Sequence, residues 1–256
     1  MTDLDRETRD ALAELLLAMA DDEFVLGFWD SEWTGIAPML EEDVAMSSVS
    51  QDEIGHAKAL YELLAELTGE DADSIAFGRP ADAYRHAALM NHARTDWAFS
   101  IARRFLYENA DAVRLESLAA SAYQPLADLA VKMRREETYH LLHFDLWLRR
   151  LAEGGDDSRT RLAEAIERLW DDAQAVFAPL AGEACLVAAR ILPESLETLR
   201  ARWLERIAAR LEAAHLPVPA ASAHPDAEGR TRRTDEFAWL HGEFTMVSGS
   251  EADATW

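Results

Sequence analysis

Apolar positions recur at three- and four-residue steps along most of the chain, which is the period of amphipathic helices. From residue 4 to about 33 the series includes Leu12, Leu16, Met19, Phe24 and Phe28. Gly35 and Pro38 break that run, and proline suits the first turn of a new helix, so a second helix is predicted over 38–68, stopping at Gly69. A polar stretch, GEDADSIAFGRPAD, reads as a loop. A third long run covers 83–121 with an interruption near His92, and Pro125 opens a helix that lasts to Gly154-Gly155. Two further helices are predicted over 158–177 and 194–214, with a short apolar piece around Cys185 between them. Residues 217–233, rich in Pro, Ala and charge, read as an exposed arm, and TDEFAWLHGEF as a short amphipathic helix packing back. There is no sustained β-alternation and no glycine-rich phosphate loop. The expected fold class is all-α and built on a bundle: a single domain with core 4–153, accessory helices over 158–214, and the arm and terminal helix over 217–256.

Composition narrows the function classes. With 48 acidic against 25 basic residues in 256, the formal net charge is −23, while 49% apolar content supports a sizeable core. Such a surface repels phosphate backbones and argues against nucleic-acid binding. Lys58 and Lys132 are the only lysines. Surplus acid with so little lysine suits either a halophilic host or a basic partner. One cysteine, Cys185, excludes an internal disulfide and a thiolate metal cluster. No apolar run is long enough to span a membrane, and the acidic MTDLDRETRD start lacks a signal-peptide pattern, so a cytoplasmic location is expected.

Two Glu-x-x-His pairs carry the chemistry. Glu53 and His56 lie in QDEIGHAKAL, and Glu137 and His140 in RREETYHLLH. Residues three apart share a helix face, so each pair can chelate one metal through oxygen and nitrogen. The motif alone is weak: composition predicts about one such pair by chance, and three occur, the third being Glu212 and His215. Register separates them. Glu53 lies 15 residues beyond Pro38 and Glu23 lies 15 before it, which in an antiparallel hairpin places both about 22 Å from the turn. Around Tyr123, Glu137 lies 14 residues beyond the turn and Glu108 lies 15 before it. Each hairpin thus offers one lone carboxylate opposite one Glu-x-x-His pair, the pattern of di-metal carboxylate bundles. Glu212 and His215 have no such partner and read as surface. Glu23 and Glu108 sit among bulky apolar residues, where a charge is costly unless paired or metal-bound. The plainer alternative is pairing with Arg103, Arg104 or Arg134. The expected ligands are Glu23, Glu53, His56, Glu108, Glu137 and His140, suited to two iron ions, with manganese as the alternative metal.

The remaining histidines read as ordinary. His143 lies one turn beyond His140, His86 and His92 lack carboxylates at ligand spacing, and His224 and His241 fall in or after the arm. Tyr139 is expected to point away from the metal face. The eight tryptophans read as core and interface anchors, and Cys185 as an inert small hydrophobe.

The stretches ADDEFVLGFWDSEWTGIAPMLEEDVAM, IARRFLYENADAVRLESLAAS, RREETYHLLHFDLWLRRL, IERLWDDAQAVF and the terminal FAWLHGEFTMVSG…W resemble the C-type component of the phenylacetyl-CoA epoxidase (phenylacetate-CoA oxygenase) family. The resemblance covers nearly the whole chain, and LGFWDSEWTG followed by LEED is its most specific part. It implies a ferritin-like four-helix bundle with added C-terminal helices. It further implies a multicomponent monooxygenase in which this chain pairs with a catalytic A-type subunit, while a separate reductase delivers electrons from NADPH. The substrate implied is an aromatic acyl-CoA, phenylacetyl-CoA, whose ring is epoxidised. In that family the C-type component is regarded as structural with a degraded metal site, whereas here the six ligand positions are filled. Two expectations follow: an oxygenase component with a working di-iron centre, or a scaffold that stabilises the catalytic partner. The weaker third is a stand-alone oxidase or peroxide-reducing bundle.

Overall fold

The computed structural model describes residues 4–250 and shows helices and no strand among them. The helices are α1 (Arg6–Ser31), α2 (Leu40–Thr68), α3 (Ala72–Phe77), α4 (Trp97–Leu118), α5 (Gln124–Glu153), α6 (Asp156–Gln174), α7 (Glu183–Ala188), α8 (Leu196–Ala213) and α9 (Asp235–Ser250). The last tryptophan of the resemblance, Trp256, lies outside the described residues. By internal contacts the chain divides into two compact units. Among the described residues, one comprises Leu12–Ala93 with residues 230–250, the other Arg94–Gly229 with residues 4–11.

The first unit holds most of α1, then α2, α3 and α9. Met39 precedes the first turn of α2, so Pro38 ends the connection and does not open the helix. Gly69 closes α2 in the left-handed region at φ 81°, its N–H bonded to the Ala65 carbonyl. The loop expected over 69–82 contains α3, capped by Asp71, whose side chain accepts from the Ser74 N–H. Phe24 organises the core, with its ring 4.9–5.7 Å from those of Phe28, Tyr61, Phe77 and Phe244. Through Phe237, Leu240 and Phe244, α9 buries its apolar face. Trp29 donates to the Met90 carbonyl at 2.8 Å and stacks on the half-exposed Trp239.

Around α4 the second unit is built, and this helix is buried on nearly every face, including Arg103, Arg104, Glu108, Asp111 and Arg114. A helix buried all round must satisfy its charges internally. Arg114 does so on Asp111 at 2.5 Å and on the Tyr107 hydroxyl at 3.1 Å. From α8, Trp203 donates to the Leu106 carbonyl and packs against Trp170 of α6. The helical run expected over 83–121 is shorter in fact. Residues 88–91 form a 3-10 turn, and α4 begins only at Trp97, where Asp96 caps the Phe99 N–H. Pro125 sits in the first turn of α5, as its fixed φ favours. Gly182, at φ 74°, lies where a Cβ would stand 2.6 Å from the Ala11 side chain, so only glycine permits that approach. Cys185 is half-buried and donates to Glu7 at 3.1 Å, which makes it a polar contact and not the inert hydrophobe expected.

Candidate metal centre

In the first unit, α1 supplies Glu23 and α2 supplies Glu53 and His56, all three at most 3% exposed. His56 turns Nδ1 toward Glu23, 3.5 Å from Oε2. One ligand atom from each of the three lies within 4.8 Å of the other two. The helices meet closely here because of Gly27, one turn beyond Glu23. A Cβ at Gly27 would stand 3.1 Å from the Glu53 Cβ and 3.0 Å from Ile54 Cδ1. Two acids precede Glu23, and each has its own cation. Asp21 takes Arg79 at 2.5 and 2.9 Å, with a 2.5 Å hydrogen bond from the Tyr61 hydroxyl. Asp22 takes Arg230 at 3.0 Å and accepts the Ala87 N–H at 2.8 Å. Three consecutive buried acids thus divide between structural ion pairs and a histidine. Arg230, at the end of the stretch read as an exposed arm, is buried for this reason.

In the second unit, α4 supplies Glu108 and α5 supplies Glu137 and His140, again at most 2% exposed. His140 Nδ1 lies 3.2 Å from Glu137 Oε1 and 3.9 Å from Glu108 Oε2, and ligand atoms of the trio also fall within 4.8 Å of one another. Burial pushes the Glu108 carboxyl well above the ordinary carboxylate range, Arg104 opposes the shift, and the neighbouring Glu137 adds to it. Arg104, one turn earlier on α4, forms an ion pair with Glu108.

Each trio combines two carboxylates with one imidazole, a set suited to a divalent first-row metal without thiolate. Donor atoms about 2.1 Å from one ion lie at most about 4.2 Å apart, so either trio fits an ion after small side-chain adjustments. The histidines set aside as ordinary stay outside both trios. His143 stacks on the exposed Tyr139, which points away as expected. His86 bonds Asn91 at 3.0 Å, and Glu212 and His215 are exposed. A surface groove of about 660 Å³ is lined by Arg149, Glu153, Asp156, Arg159 and His215, and touches none of the six residues. No helix among the described residues is long and apolar enough to cross a membrane.

Sequence reading missed Gly27 and the cations of Asp21 and Asp22. A glycine inside a long helix costs stability and calls for a packing reason, so Gly27 carried a usable signal. Arg79 and Arg230 are too far along the chain from their acids for any local signal.

Residues 1–256 match the family described as "Phenylacetic acid catabolic protein". The chain is 31% identical over 220 residues to the C subunit of the 1,2-phenylacetyl-CoA epoxidase of Escherichia coli (strain K12), covering 83% of this chain and 86% of that protein. It is 26% identical over 232 residues to the A subunit of the same organism's epoxidase, covering 89% of this chain and 74% of that protein.

Proposed function

We propose that this chain, which belongs to the phenylacetic acid catabolic protein family, is a component of a phenylacetyl-CoA epoxidase-type monooxygenase with its own di-iron carboxylate centre. The observation that carries this reading is the pair of buried trios, Glu23/Glu53/His56 and Glu108/Glu137/His140. Glu23, Glu53 and His56 would hold largely one iron and Glu108, Glu137 and His140 the other. Bound there, the iron pair supplies the redox chemistry with dioxygen that inserts one oxygen atom into an aromatic acyl-CoA. The four glutamates neutralise two divalent ions. The two imidazoles present Nδ1 to the carboxylates, and all six side chains are closed to solvent. The relatives of both types support assembly with an A-type partner, and a reductase would supply electrons. The outer face of α5 suits such a partner, since Val131, Tyr139, Leu142 and Leu146 are exposed on one stripe of the helix that carries Glu137 and His140.

One observation favours a second reading, a scaffold without turnover: the Arg104–Glu108 ion pair puts a protein cation on a ligand carboxylate. Replacing Glu53 and His56 together by alanine in the reconstituted complex separates the two. Lost epoxidation with assembly intact supports the di-iron reading. Unchanged turnover would sink it in favour of the scaffold.

A further inference from the structure

Arg104 and Glu108 lie one turn apart on α4, and both are closed to solvent. The guanidinium Nη2 forms an ion pair with Glu108 Oε1, and its carbon stands 4.9 Å over the Phe144 ring of α5. A guanidinium offers donors and no lone pair, so it cannot itself ligate a metal. The oxygen it holds belongs to a carboxylate of the second trio. A divalent ion seeks that same carboxylate with the same sign of charge, and in a buried setting two cations sharing one carboxylate repel strongly. We infer that Arg104 is a built-in competitor for metal at Glu108. It occupies that carboxyl while the chain is metal-free, and metal entry requires the guanidinium to swing off Oε1. This inference rests on the reading of Glu108, Glu137 and His140 as ligands. One consequence follows for the chain: the affinity of this trio is set partly by a residue that never touches the ion.

The test is titration of the metal-stripped full chain with Mn(II), an air-stable probe, with free ion counted by electron paramagnetic resonance. Arg104→Gln keeps a side-chain N–H donor but removes the charge, and is expected to tighten Mn(II) binding on the order of tenfold or more. Arg104→Lys keeps a cation and is expected to stay close to wild type. Unchanged or weaker binding in a folded Arg104→Gln chain overturns the inference. A second measurement needs no variant: a crystal structure of the wild-type chain loaded with Mn(II). The guanidinium is expected beyond about 4 Å from both Glu108 oxygens, outside ion-pair range. Arg104 still bonded to a metal-bound Glu108 would overturn the inference alone. Failure of both wild type and Arg104→Gln to take up Mn(II) removes the ligand reading and the inference together. Uptake by the Gln variant alone supports the competitor while removing the loaded wild-type centre.

Discussion

Glu23 and Glu108 hold equivalent places on two hairpins, each a lone buried glutamate facing a Glu-x-x-His pair, yet what stands one turn away differs. Beyond Glu23 is Gly27, whose missing side chain lets α1 and α2 close to contact at Glu53. Before Glu108 is Arg104, whose charge meets the carboxylate within the same helix. The neighbours of Glu23 in sequence, Asp21 and Asp22, spend their charges on Arg79 and Arg230. One trio is therefore shaped by close packing beside two ion pairs, and the other by a cation acting directly on one of its carboxylate oxygens. Equal sets of side chains at equal register do not imply equal surroundings.

The largest effect is expected from breaking the charge balance beside the first trio. Arg230→Ala strands the fully buried Asp22 and is expected to cost about 3–5 kcal/mol in urea unfolding, since removing one partner of a buried pair leaves an uncompensated charge. A loss within about 0.5 kcal/mol, the usual range of surface substitutions, would show the pair to be incidental.

Gly27→Val comes next. Its Cβ would press on Glu53 and Ile54, and overpacking of this kind costs about 1–3 kcal/mol. The same variant is expected to weaken metal uptake at the first trio and spare the second, which isothermal titration with Mn(II) resolves as the loss of one of two binding events. Equal weakening of both events would contradict the contrast drawn above.

The smallest effect concerns acid. Burial, reinforced by Arg233, holds the His86 imidazole well below its ordinary pKa, so it stays neutral in the folded chain. The unfolded chain binds its proton near pH 6.5. In that window the unfolded state carries more protons, so stability falls as pH drops below about 6.5, by at most about 1.4 kcal/mol per pH unit from this group. His86→Asn is expected to flatten the difference in urea midpoint between pH 7.5 and 5.5 relative to wild type. An unchanged slope would assign the acid sensitivity to other groups.

Much of this was legible in the sequence because it is periodic and local. The long helices α1, α2 and α5 follow from apolar spacing with Gly and Pro punctuation, and the hairpin register alone brings Glu23 opposite His56 and Glu108 opposite His140. The misplaced start of α4 has a physical cause. Residues 84–91 are mostly apolar and buried, so they mimic a helical run, while their backbone is held by tertiary bonds such as the Ala87 N–H on Asp22. The burial of Arg230 was invisible for the same reason: its partner lies 208 residues away. Arg104 was visible as a pairing candidate, but its inward direction and its place on the Glu108 carboxylate needed the fold.

The measurement closest to the central claim is the metal content of the full chain purified from iron-supplied cells, read by mass spectrometry beside the Glu53→Ala/His56→Ala variant. The account predicts about two irons per wild-type chain and a clear deficit in the variant. A folded wild-type chain that carries no metal, and takes up none on anaerobic addition of Fe(II), would contradict it and leave the two trios as buried ion-pair networks.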